Sequence, residues 1–476
     1  MTLTPQILIF IAPILVWLIL KNPFFGLLLM IAVNPVEALI PLPVGYSAGR
    51  ITGALVAAGW FVHLLRNPLA RQRLARSKLV RCIWAFPLVC AIGVAIGGGS
   101  SVVSAKGVDS LVKLLLLVTL ALMIENMVDS PDRMKRMMLV LVLSSLVAVI
   151  FPFAYSLGVD LYSPLGIDYM AVNEGERAGG LSGDANSLGV TACAGLFALI
   201  IHLNAKRKMF SSALLIGIAV VIISGLILSG NRTHFVGFIV FMVVFSGLRL
   251  LGPAKGLSYS ILFAMVLILL VPWAYRRAPE RIQERLIVVG PNVNKYTEGR
   301  ADLIEEQREL AIQLLKENPL FGVGLRGFES RFAIMAHDSV SAILGETGLF
   351  GLISISWLLV LCVYWLVCAS KLFLRIGNLE LYYYGVGFMA SIVATLVAGL
   401  GGYLFFSSRW FWFALGMSAV IARWADSAAR LSLKANPAVP VSVGARSAAS
   451  RFGVGSARLN WPPPSSGNPA PARSAQ

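Results

Sequence analysis

Apolar runs of bilayer length recur from one end of this chain almost to the other, and no other feature leaves so few folds open. A helix needs about 20 apolar residues to cross a hydrocarbon core, and in lipid only helices or closed barrels satisfy every backbone hydrogen bond. The runs here are continuous instead of alternating, which disfavours a barrel of strands. They fall at roughly 6–20, 24–40, 51–65, 79–96, 108–127, 137–157, 186–203, 213–228, 235–248, 257–274, 340–368, 382–405 and 410–423. The pattern predicts an all-α polytopic membrane bundle of about 12–13 transmembrane helices. The count is loosest at the start, where Pro23, Pro35, Pro41 and Pro43 leave room for a re-entrant segment. Composition agrees: 57% of the 476 residues are hydrophobic, only 13% are charged, and the mean hydropathy is +0.79.

The formal charge of +17 invites a nucleic-acid reading, but its placement points to a membrane and not to nucleic acid. Positives crowd into short inter-helix loops and the C-terminal tail, the signature of cytoplasmic loops. Between Arg66 and Arg81 stand Arg66, Arg71, Arg73, Arg76, Lys78 and Arg81 with no acid, and Lys206, Arg207 and Lys208 form a second knot. Threading the helices between these points puts Arg249, Lys255, Lys371, Arg375 and the tail on the same side. The opposite side receives the loops at 97–107 and 158–185, the turn at 229–233, the long segment 275–338 and the turn at 407–409. That long segment balances ten basic against ten acidic residues, and loops longer than about 60 residues translocate largely regardless of charge.

Residues 1–434 are therefore expected to form one polytopic domain, and 435–476, rich in Pro, Ala, Ser and Gly, a disordered basic cytoplasmic tail. The start lacks a basic n-region and a small-residue cleavage site before Lys21, so it is expected to be a retained helix. Cys82, Cys90, Cys193, Cys362 and Cys368 lie in or beside apolar runs, are odd in number and show no metal-ligand spacing. They are expected to be small core residues, and no metal or cofactor is predicted. No internal repeat of the kind that marks many transporters is visible.

Chemistry is expected where polar residues interrupt the apolar pattern on the side opposite the basic loops. In the long segment, Leu303, Ile304, Leu310, Ala311, Leu314 and Leu315 share one helical face while Glu305, Glu309, Gln313 and Lys316 share the other. This predicts an amphipathic helix on or beside the membrane surface, capped by Thr297 and stopped by Asn318-Pro319. Gly322, Gly324 and Gly327 are expected to supply tight turns where the chain returns to the bilayer. His337 then precedes an apolar helix capped by Asp338 or Ser339, and a ring at a helix N-terminus is held neutral and able to accept a proton; the plainer alternative is an interfacial cap residue. Glu346 would lie roughly 12 Å deeper at 1.5 Å per residue, as an acceptor-binding group or as the structural partner of an arginine. Arg232, in an outer turn too tight to be a soluble loop, is either a snorkelling cation or a fixed guanidinium suited to phosphate. The glycine-rich stretch from Arg177 to Asn186, the expected cap of the next helix, is either an anion cradle or an ordinary loop. His234 is nearby, but two histidines without a carboxylate cluster make a poor metal site.

Taken together these residues resemble the bacterial O-antigen ligase and polysaccharide polymerase superfamily of membrane glycosyltransferases. The resemblance lies in an R-x-G-G-x-x-G-D-x-N-x-x-G block at Arg177 to Gly189, an S-G-N-R turn at Ser229 to Arg232, and Gly299-Arg300 followed by KENPLFGVGLRGF and HDSVSAILGETGLFGL, ending at Leu352. It covers residues 177–352; the N-terminal helices agree only in being apolar. Asp338 stands where that family more often has asparagine, which adds negative charge beside His337.

The resemblance implies a fold similar to the GT-C class, in the bacterial inner membrane with its site facing the periplasm. It also implies a metal-independent, inverting transfer of a glycan from undecaprenyl pyrophosphate to a sugar hydroxyl, either of lipid A core or of another lipid-linked glycan. In that reading His337 is the catalytic base, Arg232, Arg300 and Arg177 bind the donor pyrophosphate, and Glu346, Asp338 and Asn186 bind acceptor or hold the site together. Ligase and polymerase differ only in acceptor. A lipid-linked sugar flippase is the reading of another class, and it predicts charged residues spread through the membrane midplane.

Overall fold

The computed structural model describes residues 5–33, 48–97, 101–165, 178–182, 184–204, 211–250, 293–332, 336, 338–400 and 408–435. Every regular element among them is helical. α1 (Pro5–Lys21), α2 (Pro23–Val33) and α3 (Ala48–Arg66) are followed by the short α4 (Pro68–Ala75) and α5 (Lys78–Ile83). Next come α6 (Ala85–Gly97), α7 (Ser101–Met127), α8 (Pro131–Ser156), α9 (Ala185–Leu203), α10 (Ser212–Leu228) and α11 (Arg232–Leu250). The last group is α12 (Val293–Glu317), the short α13 (Gly327–Phe332), α14 (Ser339–Arg375), α15 (Leu379–Gly399) and α16 (Arg409–Ala435).

Seven described stretches are long and apolar enough to cross a membrane: Lys78–Gly97, Ala105–Met127, Pro131–Ser156, Ala185–Leu203, Arg232–Arg249, Ser339–Arg375 and Leu379–Gly399. This is the architecture of a multi-pass membrane protein. The expected runs at 6–20, 51–65, 213–228 and 410–423 are also helical, but shorter or less apolar; of the expected run at 24–40, residues 24–33 lie in α2 and the rest lies outside the described residues. The expected run at 257–274 and the tail beyond 435 lie outside the described residues. Side-chain caps start many of these helices: Asn67 and Ser130 each precede a proline at the first helical position, and Ser77, Asp184, Ser211, Asp338 and Asn378 cap others.

α9 and α15 are the most enclosed spans, with 78% and 83% of their apolar windows buried. Peripheral helices do the opposite. On α14, Ile353, Trp357, Val360 and Tyr364 form an exposed stripe at helical spacing, an apolar face that matches lipid and not water.

Cross-helix contacts give the direction of each span. Tyr382, at the start of α15, donates its hydroxyl to the Leu248 carbonyl at the end of α11 (2.9 Å), while Gly237 near the start of α11 packs on Ala394 and Ala398 near the end of α15. The two are antiparallel, and the Ile376–Asn378 turn makes α14 and α15 antiparallel as well. One end of the bundle thus gathers Lys78, Arg73, Arg423, Lys135 and Arg249. It is pinned by Trp60 and Arg73 on Asn126, by Arg423 on the Glu125 and Val128 carbonyls, and by Lys135 on Glu380 (2.6 Å). The opposite end gathers the C-termini of α6 and α15 and the N-termini of α7, α9, α11, α14 and α16. That partition is the one the basic loops predict.

Candidate functional site

At the end opposite the basic loops, two stretches far apart in pattern but close in chain clasp each other. α14 is broken at Gly348, whose φ of 63° and ψ of −162° belong to a region that only glycine adopts readily. The break frees backbone groups that a continuous helix would consume, and the loop from Pro319 to Gly324 takes them up. Val323 and Gly324 donate their N–H groups to the carbonyls of Gly345 (3.0 Å) and Glu346 (2.9 Å). In return Leu349 and Phe350 donate to the carbonyls of Pro319 (2.9 Å) and Leu320 (3.0 Å). Gly322 and Gly324 hold φ values of 66° and 86°, as the expected turns require; Gly327 does not, and the left-handed residue beside it is Arg326 at φ 62°. Gly93 and Gly97 of α6 leave the space that the loop fills, since a Cβ on either would strike the Phe321 or Val323 carbonyl.

α12 extends the clasp. It begins at Val293, so Thr297 lies within it and does not cap it, and it ends before Asn318-Pro319 as expected. Gln307, Ala311 and Leu314 are fully or almost fully buried, with Leu314 and Ala311 lying against Gly345 of α14. The helix is thus docked on α14 through its apolar face. Arg300 occupies the same face two turns before Gln307; the placement of its side chain lies outside the description. α13 is tied to α7 by Lys106 and Glu329 (3.2 Å), with Arg326 also on Glu329 (2.7 Å). Burial pushes the Glu329 carboxyl up, but Lys106 and Arg326 outweigh it and hold the group below the usual glutamate range.

Asp338 caps α14: its Oδ1 accepts from Val340 N (3.0 Å) and Ser341 N (2.8 Å), and the side chain is buried. Its Oδ2 has no hydrogen-bond partner among the described residues. Aspartate does here what an asparagine would do through its amide oxygen. His337, the preceding residue, and Arg177 lie outside the described residues. Glu346 is buried, two residues before the break in α14, with its carbonyl held by Gly324.

A second cluster forms where α9 and α11 begin. Asp184, not Asn186, caps α9, accepting from the backbone N–H groups of Asn186 and Ser187 (both 2.9 Å). This frees the Asn186 amide to accept from Asn231 Nδ2 (3.0 Å), while Asn231 Oδ1 accepts from Thr233 Oγ1 (2.8 Å) and from His234 N (3.3 Å). Arg232 is the first residue of α11, held on this braced turn. The structure therefore brings Asn186 and the Arg232 turn together, and Asp338, Glu346 and α12 together, at one end of the bundle. Sequence reasoning missed Asn231 and Asp184 as the bracing residues. Both stood inside the motifs it quoted, and an Asx residue followed by a helical run is the signal for each.

No family model matches the chain, and no curated protein matches it.

Proposed function

We propose that the protein is a membrane glycosyltransferase that moves a glycan from undecaprenyl pyrophosphate to a sugar hydroxyl, as the resemblance of residues 177–352 implies, with its site on the periplasmic face of a bacterial inner membrane. The observation that carries the reading is the clasp between Pro319–Gly324 and the broken α14. It joins the two most distinctive motifs into one rigid piece, and that piece fixes the start of the helix that His337 immediately precedes.

The chemistry needs three things. Positive charge must meet the leaving pyrophosphate; Arg232, Arg300 and Arg177 are assigned to it, and the N-termini of α9, α11, α14 and α16 add their partial charges at the same end. A base must take the acceptor proton, and His337 is assigned that role, with Asp338 holding the helix start and Glu346 the break. A polyprenyl chain must reach the site from lipid, for which the exposed apolar stripe of α14 offers a path. Lipid A core is the proposed acceptor. A divalent ion has no part in this scheme, so EDTA should leave transfer unchanged.

The test uses purified protein with a defined undecaprenyl-pyrophosphate glycan and acceptor. His337→Ala should slow transfer by about 10²–10⁴-fold, the usual contribution of a general base, and Arg232→Ala by about 10²–10³-fold, as for other fixed donors to a developing charge. Variants that transfer as fast as wild type would refute the assignment.

A further inference from the structure

A crevice at the same end of the bundle is built around two polar atoms that the proposed reaction does not use. It lies between α9, the start of α11, the end of α15 and the start of α16, has room for about one water-sized group (≈ 20 Å³), and is lined by His234, Trp410, Cys193, Phe197, Thr395 and Ser408 among others. Both His234 and Trp410 are 6% exposed, and neither His234 Nε2 nor Trp410 Nε1 has a hydrogen-bond partner among the described residues. Leaving two such atoms unpaired in a buried place is costly, and an ordered occupant removes the cost.

The hydrogen bonds around Asn231 determine what His234 presents. The His234 backbone N–H can only donate, so the Asn231 atom it meets is the amide oxygen. That oxygen carries no proton, so the Thr233 hydroxyl must donate to it. The remaining lone pairs of Thr233 Oγ1 face His234 Nδ1 at 3.5 Å, which places the ring proton on Nδ1 and a bare lone pair on Nε2. Trp410 Nε1–H is a donor only. These two atoms therefore offer one acceptor and one donor.

Of its other polar groups, the Cys193 thiol donates to the His234 carbonyl and the Thr395 hydroxyl to the Ser391 carbonyl, while Ser408 Oγ accepts from Phe411 N and keeps its own proton to donate. No charged residue lines it among the described residues. A carboxylate has no proton for Nε2, an ammonium has no lone pair for the indole, and either would be buried without a counter-charge. An alcohol oxygen carries both a proton and lone pairs, so this one functional group matches both atoms.

We propose that this crevice is a binding site for a neutral alcohol hydroxyl, which donates to His234 Nε2 and accepts from Trp410 Nε1. The hydroxyl belongs either to a sugar or to a glycerol lipid headgroup. The site does not depend on glycosyl transfer.

The test is magic-angle-spinning NMR of the full chain carrying ¹⁵N-histidine, in phosphatidylcholine bilayers. The His234 signals, among those of the 4 histidines, are identified by their loss in His234→Gln. The expected spectrum shows a protonated Nδ1 and a bare Nε2, and the Nε2 signal moves when methyl glucoside, or phosphatidylglycerol, is added. A response to the sugar alone assigns a glycan hydroxyl, and a response to the lipid alone assigns a headgroup. Trp410→Phe, which keeps the ring stacked on Phe413, should weaken the response about tenfold, the loss of one hydrogen bond. A proton on Nε2, or an Nε2 signal unmoved by both probes in large excess as it would be over a trapped water, overturns the proposal. Because the readout is binding, it stands or falls apart from any failure of transfer.

Discussion

Gly348 sits in backbone geometry that a side chain would strain, and a Cβ there would come 2.7 Å from Gly322 N and from the Leu320 carbonyl. Gly348→Ala should therefore cost at least about 3 kcal/mol, from backbone strain and from forcing the clasp apart. Thermal unfolding in detergent measures it. Gly217→Ala on α10, where a Cβ meets nothing within 4 Å, is the control and should be neutral or slightly stabilising. Equal melting temperatures for the two variants would contradict the account of the break. At this scale the sequence was legible where a residue type has one strong preference. Gly322 and Gly324 are turns and Asp338 is a cap, as their chemistry demands. Gly348 was not recognisable as a break, because one glycine in an apolar helix is common and only the partner loop makes it necessary. The left-handed conformation of Arg326 carries no sequence signal at all.

At the scale of elements, the start of α14 depends on the Asp338 cap. Asp338→Ala should destabilise the protein by about 1 kcal/mol, the usual value of such a cap, while Asp338→Asn should retain both stability and transfer. Unfolding and transfer assays on the pair check this; a loss of transfer in Asp338→Asn would give the second carboxylate oxygen a role beyond capping. Helix existence was legible from hydrophobic length alone, and nearly every described run is helical. Boundaries were less so. α12 starts earlier than its apolar pattern suggested, because its polar first turns have helix propensity without periodicity. The docking of α12 on α14 was also hidden. An amphipathic face looks the same whether it meets lipid or another helix, and only the buried Ala311 and Leu314 against Gly345 decide it.

For the whole molecule, the charge pattern and the helix directions partition the loops alike, with Arg73, Lys78 and Arg423 at one end and Arg232, Asp338 and the clasp at the other. A cysteine placed at the exposed Lys316 should react with an impermeant reagent added from the periplasm, and one at the exposed Arg76 should not. The reverse pattern would turn the molecule over and remove the site from the proposed face. The partition was legible because short basic loops leave little freedom of topology. The meeting of Asn186 with Asn231 was not, since it depends on how α9 and α11 pack. The central claim is glycosyl transfer, and its most direct measurement is product formation by purified protein in proteoliposomes that hold the lipid-linked glycan, with acceptor added. The account predicts a new glycosidic bond of inverted anomeric configuration and one undecaprenyl pyrophosphate released per bond. Movement of the lipid-linked glycan across the bilayer, with no glycosidic product from any acceptor, would contradict it.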